Sequence, residues 1–429
     1  MKGFLDFLKT SKSAFHAAKN VCDILDKNGY VLLNEQEPFK LELGKKYYIT
    51  RNSSSVFAFT LPKEFNKLGF NITAAHLDSP TFKLKPNFKL DVTKYVKLNT
   101  EVYGGPIFMS WLDRPLDIAG RVIVKENNKL VTKLFSFDKP VCMIPNCSIH
   151  YNHDLNKGYQ FNPQNELLPI LTANKDMNLL KEIANRLNVK EEDIISYDLY
   201  LALLDRGTLV GVNDEFIMAP QIDNLECSYA LLKALLESNQ NNRCNVMCLF
   251  DNEEIGSRTR QGASSDTLAT LLERIAIALD LTKEEYLMSL ANSYFVSADN
   301  AQGFHPSYPQ KYDPTNAVYM NEGIVIKNAA RGSYTTDAYS LAIFEEICKK
   351  SNAKYQKNTN RSDVPGGSTL GCLSIEQVSI PSVDIGLAQV AMHSAYETAG
   401  AYDLEELVKA IKEFYSMDLE FLADGIVKF

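Results

Sequence analysis

Glu253 and Glu254 stand side by side after an apolar run, Asn245-Val246-Met247-Cys248-Leu249-Phe250, and before Ile255-Gly256-Ser257. Two adjacent carboxylates just beyond a buried strand repel each other, so something has to hold them there. A divalent cation bound by one, with the other facing a water that it activates, relieves the repulsion and uses both. A solvated acidic loop is the plainer explanation of the pair taken alone. Matching chemistry at three other strand ends argues against it: His76-Leu77-Asp78 after Ile72-Thr73-Ala74-Ala75, Asp299 after Phe295-Val296, and His393 beyond Val383 to Leu387. Asp223 adds a carboxylate at a predicted helix start, where the helix dipole favours negative charge.

Carboxylates mixed with imidazoles suit zinc, manganese or cobalt. His76, His393, Asp223, Glu254 and Asp299 offer too many donors for one tetrahedral ion and suit two ions with a bridging carboxylate. Asp78, two residues after His76, can accept the second N–H of a metal-bound imidazole and fix its tautomer. It can equally open the turn at Ser79-Pro80. Of the six histidines, His16 on the first helix reads as structural, His153 as a loop residue, and His305 in Phe304-His305-Pro306 as a loop organiser. His150, after Pro145-Asn146-Cys147-Ser148-Ile149, is a lone imidazole of the kind ordinarily satisfied by local hydrogen bonds.

These groups need a scaffold. The chain has 429 residues, 45% hydrophobic and 23% charged, which fits a globular protein of two or three domains with ample core. A net charge of −8 argues against nucleic acid as a partner. Eight cysteines without a Cys-x-x-Cys pair read as free, mostly buried thiols in a reducing compartment. Met1 to Lys12 carries Asp6, Lys9 and Lys12 and no long apolar stretch, so neither a signal peptide nor a membrane span is expected, and the expected location is the cytoplasm.

The spacing predicts helices over Ser11 to Asn28, Asp176 to Leu187, Asn224 to Glu237, Asp266 to Asp280, Thr335 to Ser351 and Leu404 to Leu422. Strands are expected around the turn in Tyr47 to Thr60, and at Gly69 to Ala75, Cys244 to Asp251, Tyr294 to Ser297 and Ser379 to Gly386. From about Asn87 to Asn213 short alternating segments take over: Val96 to Val102, Ile107 to Trp111, Arg121 to Lys125, Lys129 to Phe135 and Leu199 to Leu204. This is a β-rich insert in an α/β chain. Asp299 to Asn321 is the longest expected loop, and such loops are often functional.

The residues also carry a family pattern. Ala75-His76-Leu77-Asp78-Ser79-Pro80, Tyr103-Gly104-Gly105 with Trp111-Leu112-Asp113-Arg114-Pro115-Leu116, Asp223-Asn224-Leu225, Asp251-Asn252-Glu253-Glu254-Ile255-Gly256-Ser257, Arg361-Ser362-Asp363 with Gly366-Gly367-Ser368-Thr369, and Met392-His393-Ser394 occur in order over nearly the whole chain. In these blocks the chain resembles the M18-type metallo-aminopeptidases, the aspartyl aminopeptidase family. The resemblance implies an α/β mixed-sheet zinc-exopeptidase domain flanked by helices, formed by residues 1–88 and 218–429 and interrupted by a β-rich dimerisation domain at 89–217.

It also implies roles. Asp223 would bridge two divalent ions, His76 and Asp299 completing one site, Glu254 and His393 the other. Glu253 would be the general base and Asp78 would orient His76. His150 would reach a neighbouring subunit's active site, and dimers would assemble into a dodecamer. Lys327 matches the position expected to meet an acidic substrate side chain, although a lysine there could equally be a solvated strand end. The chain departs from the pattern in having Gln221-Ile222-Asp223-Asn224 for Arg-Leu-Asp-Asn and Asp299-Asn300-Ala301-Gln302-Gly303 for Asp-Met-Ala-His-Ala.

The expected activity is removal of N-terminal residues, acidic ones foremost, from peptide substrates by metal-activated water, with zinc as the expected ion and cobalt or manganese able to serve. A neutral or leucine preference and a metal-dependent deacylase of N-acyl substrates are the alternatives. A non-catalytic scaffold is disfavoured because His76, Asp223, Glu253, Glu254, Asp299 and His393 are all present.

Overall fold

The computed structural model describes residues 1–239, 241–367 and 369–429; Ser368, from one of the family blocks, lies outside the described residues. The largest sheet has nine strands. In spatial order they are Val31–Leu32, Lys46–Arg51, Ser55–Thr60, Cys244–Phe250, Phe70–His76, Tyr294–Ala298, Ser382–Gly386, Ile324–Asn328 and Tyr355–Thr359. The four central strands from Cys244–Phe250 to Ser382–Gly386 run parallel, and antiparallel partners flank them on both sides. Parallel strands buried on both faces are near-continuous apolar runs, and Phe70–His76 and Cys244–Phe250 are buried at every position.

Alternation sends neighbouring side chains to opposite cores. Val56 and Ala58 face a core built with the helices Lys2–Thr10, Ala14–Lys27, Ile222–Glu237, Ala338–Ser351 and Asp403–Ser416. Phe57 and Phe59 face the other, covered by Thr267–Ala278, Lys283–Ala291 and Leu370–Gln377.

A second sheet of six strands has the order Lys129–Ser136, Leu116–Glu126, Ile194–Leu203, Thr81–Val92, Tyr95–Tyr103 and Ile170–Thr172. It is antiparallel and encloses its own core around Phe82, Trp111, Leu116, Val122 and Leu201. A smaller sheet pairs Phe216–Ala219 with Glu397–Gly400 and carries Ala388–Val390 and Ala301–Gln302 at its other end.

Several expected elements differ. Ile107 to Trp111 is a short 3-10 turn at Phe108–Trp111, where the Ser110 hydroxyl donates to Ile107 O at 2.6 Å and closes the chain locally. The last helix stops at Ser416, and a hairpin of Glu420–Ala423 with Ile426–Lys428 follows. Helices Lys2–Thr10, Lys283–Ala291 and Leu370–Gln377 were not expected. Asp176 to Leu187 is helical from Leu179, where the Asn178 side chain caps it.

Candidate metal centre

Parallel register gathers the chemistry at one edge of the large sheet. His76 ends its strand directly opposite Phe250, so Glu253 and Glu254, in the turn that follows, lie beside it. Asp299 is the first residue beyond Tyr294–Ala298. Asp223 enters from the helix Ile222–Glu237, which is non-helical at Asp223 and Asn224, and the peptide between those two residues is cis. Ligands in open α/β sheets bind at this carboxyl edge.

His76 Nε2 lies 3.4 Å from Asp223 Oδ1, 3.6 Å from Asp299 Oδ1 and 4.0 Å from Glu253 Oε2. His393 Nε2 lies 3.7 Å from Asp223 Oδ2 and 3.5 Å from Glu254 Oε2. The two imidazoles therefore face different oxygens of one carboxylate. His76, Asp223 and Glu254 each offer a donor atom within 4.8 Å of the others.

Hydrogen bonds set the ring tautomers. His393 Nδ1 lies 3.1 Å from Gly105 O, and a carbonyl only accepts, so the proton is on Nδ1 and the Nε2 lone pair faces the carboxylates. His76 Nδ1 lies 3.1 Å from Asp78 O and 3.4 Å from Asp78 Oδ1, which protonates it in the same way. In the neutral rings both Nε2 lone pairs then point at carboxylate oxygens, a contact that needs either a proton or a cation between them, and the buried Asp223 Oδ1 has no hydrogen bond. Divalent cations would satisfy these atoms, so the donor set fits a metal.

The electrostatics agree. Burial, then Asp299, raises the pKa of Asp223. Burial, then Asp223, lifts Glu254 well above the carboxylate range. Glu253 is pushed up to about 8 by burial, with Asp299, Asp78 and Asp223 adding and His76 opposing. Burial works against the imidazolium of His76, yet Asp223, Asp299 and Asp78 hold its pKa well above the histidine range. Burial would raise Asp299 too, but Lys327 and His76 bring it down to about 2. The side chains alone thus retain protons at neutral pH that a cation would displace.

Asp78 is buried and serves three neighbours. It accepts the Tyr103 hydroxyl at 2.8 Å and the backbone N–H groups of Glu253 and Glu254 at 3.1 and 3.2 Å. Gly104 follows at φ +69, and a Cβ there would meet the Glu254 side chain at 3.2 Å, so glycine allows the two sheets to approach. Lys327 is buried rather than a solvated strand end. Its Nζ donates to Asn300 O at 2.9 Å and lies 3.8 Å from Asp299 Oδ2.

His150 is exposed in a turn of the second-sheet region and makes none of the contacts just described. His305 Nδ1 accepts the Ser307 N–H at 3.2 Å, as a loop organiser would. His16 is held by Ser13 at 2.9 Å. All eight cysteines are free thiols, five of them buried. Gln221, one of the departures from the family pattern, accepts from the buried guanidinium of Arg206.

Two residues of the site escaped sequence reading. Glu397 is buried and accepts the Asp223 N–H at 2.9 Å and the His393 N–H at 2.7 Å; its only sequence signal was a glutamate four residues after His393. Tyr103 connects Asp78 to Asn252, whose side-chain amide donates to the phenol at 2.8 Å; its sequence signal was its place before Gly104-Gly105.

A mixed α/β sheet with imidazoles and carboxylates converging at its carboxyl edge defines a metallohydrolase. The family model for aminopeptidase I zinc metalloproteases (M18) matches residues 7–415, and the chain belongs to that family. It is a metallo-aminopeptidase, a hydrolase of peptide bonds. A probable M18 family aminopeptidase 2 of Clostridium novyi is 44% identical over 422 residues, covering 96% of this chain and 98% of the relative. The structure of Ape4 in complex with Nbr1 is similar with a TM-score of 0.91 at 32% identity, over 96% of this chain and 84% of that one. The S. cerevisiae mApe1 dodecamer is similar with a TM-score of 0.84 at 27% identity, over 96% and 95%. No helix among the described residues is long and apolar enough to cross a membrane.

Proposed function

We propose that this chain removes N-terminal residues, acidic ones foremost, from peptides at a dinuclear metal centre. The observation that carries the reading is the approach of His76 and His393 to different oxygens of Asp223, as a bridging carboxylate requires. Asp223 would bridge, His76 and Asp299 would complete one site, and Glu254 and His393 the other. Zinc held by these residues would supply Lewis-acid chemistry, polarising the scissile carbonyl and lowering the pKa of water. Glu253 is the general base: its Oε2 sits 4.0 Å from His76 Nε2 at the edge of the cluster, and its raised pKa suits accepting a proton from water and passing it to the leaving amine. Asp78 holds the His76 tautomer and the Glu253-Glu254 turn.

Lys327 supports the acidic preference. Its ammonium has three donors, and Asn300 O takes one. Its closeness to Asp299 favours the alternative, a neutral or leucine preference, because the charge already has a partner.

Residues 89–217 act as a dimerisation domain in a homo-oligomer, up to a dodecamer. Exposed Met109 and Met143, and exposed Ile149 and Tyr151 on either side of His150 in the chain, support this, as does the dodecameric mApe1. His150 would then act in a neighbouring subunit. The free thiols fit the cytoplasm.

Hydrolysis of Asp, Glu, Leu, Ala and Lys aminoacyl reporters, with zinc, cobalt or manganese returned to the chelated enzyme, tests the reading. The expected result is highest kcat/KM on Asp and Glu and none on N-acetylated versions. Highest turnover on Leu establishes the neutral alternative, and a requirement for the acyl group establishes a deacylase.

A further inference from the structure

We propose that Asn300 is a positioning residue for this reaction: its buried side-chain amide fixes the Asp299 strand end against the helix that carries Asp223. The inference rests on Asp299 and Asp223 being metal ligands. Asn300 is 3% exposed. Its Nδ2 donates toward Glu226 Oε2 and Gln389 Oε1 at 3.2 Å each and toward Ile222 O at 3.4 Å. Its Oδ1 accepts the Cys227 thiol at 2.9 Å.

Ile222, Glu226 and Cys227 all belong to the helix Ile222–Glu237, and Gln389 belongs to the strand Ala388–Val390. The main-chain oxygen of Asn300 meanwhile receives Lys327 Nζ at 2.9 Å, and that Nζ lies 3.8 Å from Asp299 Oδ2. One residue therefore sets Asp299 relative to Asp223 and sets the lysine beside Asp299. An amide has two N–H groups and one oxygen to give, and all are engaged here. No apolar side chain could replace it without orphaning buried partners.

Glu226 is completely buried, and burial, followed by the charge of Asp403, raises its pKa to about 8. A neutral acid beside the amide needs no countercharge, so the pair is held by geometry. Its Oε1 and the Nε2 of Gln389 have no partner, which leaves Gln389 free to turn its amide over if the chemistry opposite changes.

The test uses Asn300→Leu, Asn300→Asp and the exchanged pair Asn300→Asp/Glu226→Gln in the full chain, with Asp299→Asn as control. Calorimetric titration of the chelated proteins with zinc, thermal unfolding, and the separation of kcat from KM are the readouts. Asn300→Leu is expected to bind zinc about 10–100-fold more weakly, with a fall in kcat larger than any change in KM. Asn300→Asp is expected to lose zinc affinity similarly and the exchanged pair to recover most of it, because the pair again holds one amide and one acid.

Wild-type zinc affinity in a folded Asn300→Leu protein, with Asp299→Asn impaired, overturns the inference. If Asn300→Leu does not fold, failure of the exchanged pair to recover zinc affinity overturns it. Wild-type zinc affinity in Asp299→Asn overturns the ligand assignment itself, and this inference with it.

Discussion

Asp78 grips Glu253 through the main chain: the Glu253 N–H donates to Asp78 Oδ1 at 3.1 Å. Its other oxygen takes the next amide and the Tyr103 phenol. Asp78 thus aims both the His76 ring and the turn that presents both glutamates. Asp78→Ala should lower zinc affinity and kcat/KM by about 10–100-fold, and Asp78→Asn, with a single acceptor oxygen, should fall between. Steady-state kinetics with zinc titration checks this. Wild-type values in Asp78→Ala would remove the positioning role.

Glu253 is assigned to proton transfer and not to metal binding. Glu253→Gln keeps the volume and removes the base. The expected loss in kcat is about 10²–10⁴-fold with unchanged zinc content by elemental analysis. Near-full turnover with zinc bound would show that another group carries the proton.

Zinc loading should release protons. In the side-chain cluster the pKa of His76 is held well above the histidine range, and those of Asp223 and Glu254 are raised as well, so the cluster carries protons that an ion must expel. The sign follows: lowering the pH adds competing protons and weakens apparent zinc affinity, and raising it strengthens it. Calorimetry of the chelated protein in two buffers of different ionisation enthalpy gives the count. At least one proton per chain should leave near pH 7; none leaving would contradict this account of the cluster.

Glu397 holds the backbone at two of the proposed ligands. Glu397→Ala leaves the buried N–H groups of Asp223 and His393 without acceptors, at a cost on the order of 2–4 kcal/mol, read by denaturant unfolding of the chelated protein. Glu397→Gln keeps one acceptor oxygen and should lose about half as much. Zinc affinity should fall in the same order; unchanged affinity in the alanine variant would confine Glu397 to stability.

The central strands were legible because each is a short, mostly apolar run, and three of them lead within three residues to a group able to bind or move a proton. Parallel pairing did the rest: once Phe250 lies opposite His76, residues distant in sequence become neighbours. Glu397 was not legible because its partners are backbone amides, which leave no mark on residue type. Lys283–Ala291 escaped because of its weak apolar stripe, with only Tyr286 and Ser289 buried; the Thr282/Glu285 capping box was the available signal. The final helix was drawn too long because Leu419 and Phe421 continue the apolar pattern after Met417, and both are buried in the same core from non-helical backbone.

The strand Tyr95–Tyr103 and the two glycines after it supply the phenol that meets Asp78 and the carbonyl that receives the His393 proton. A miniaturised enzyme stripped of the second sheet would therefore keep every proposed ligand and lose the means of aiming two of them. Any engineer who discards the second sheet inherits the task of rebuilding that one corner.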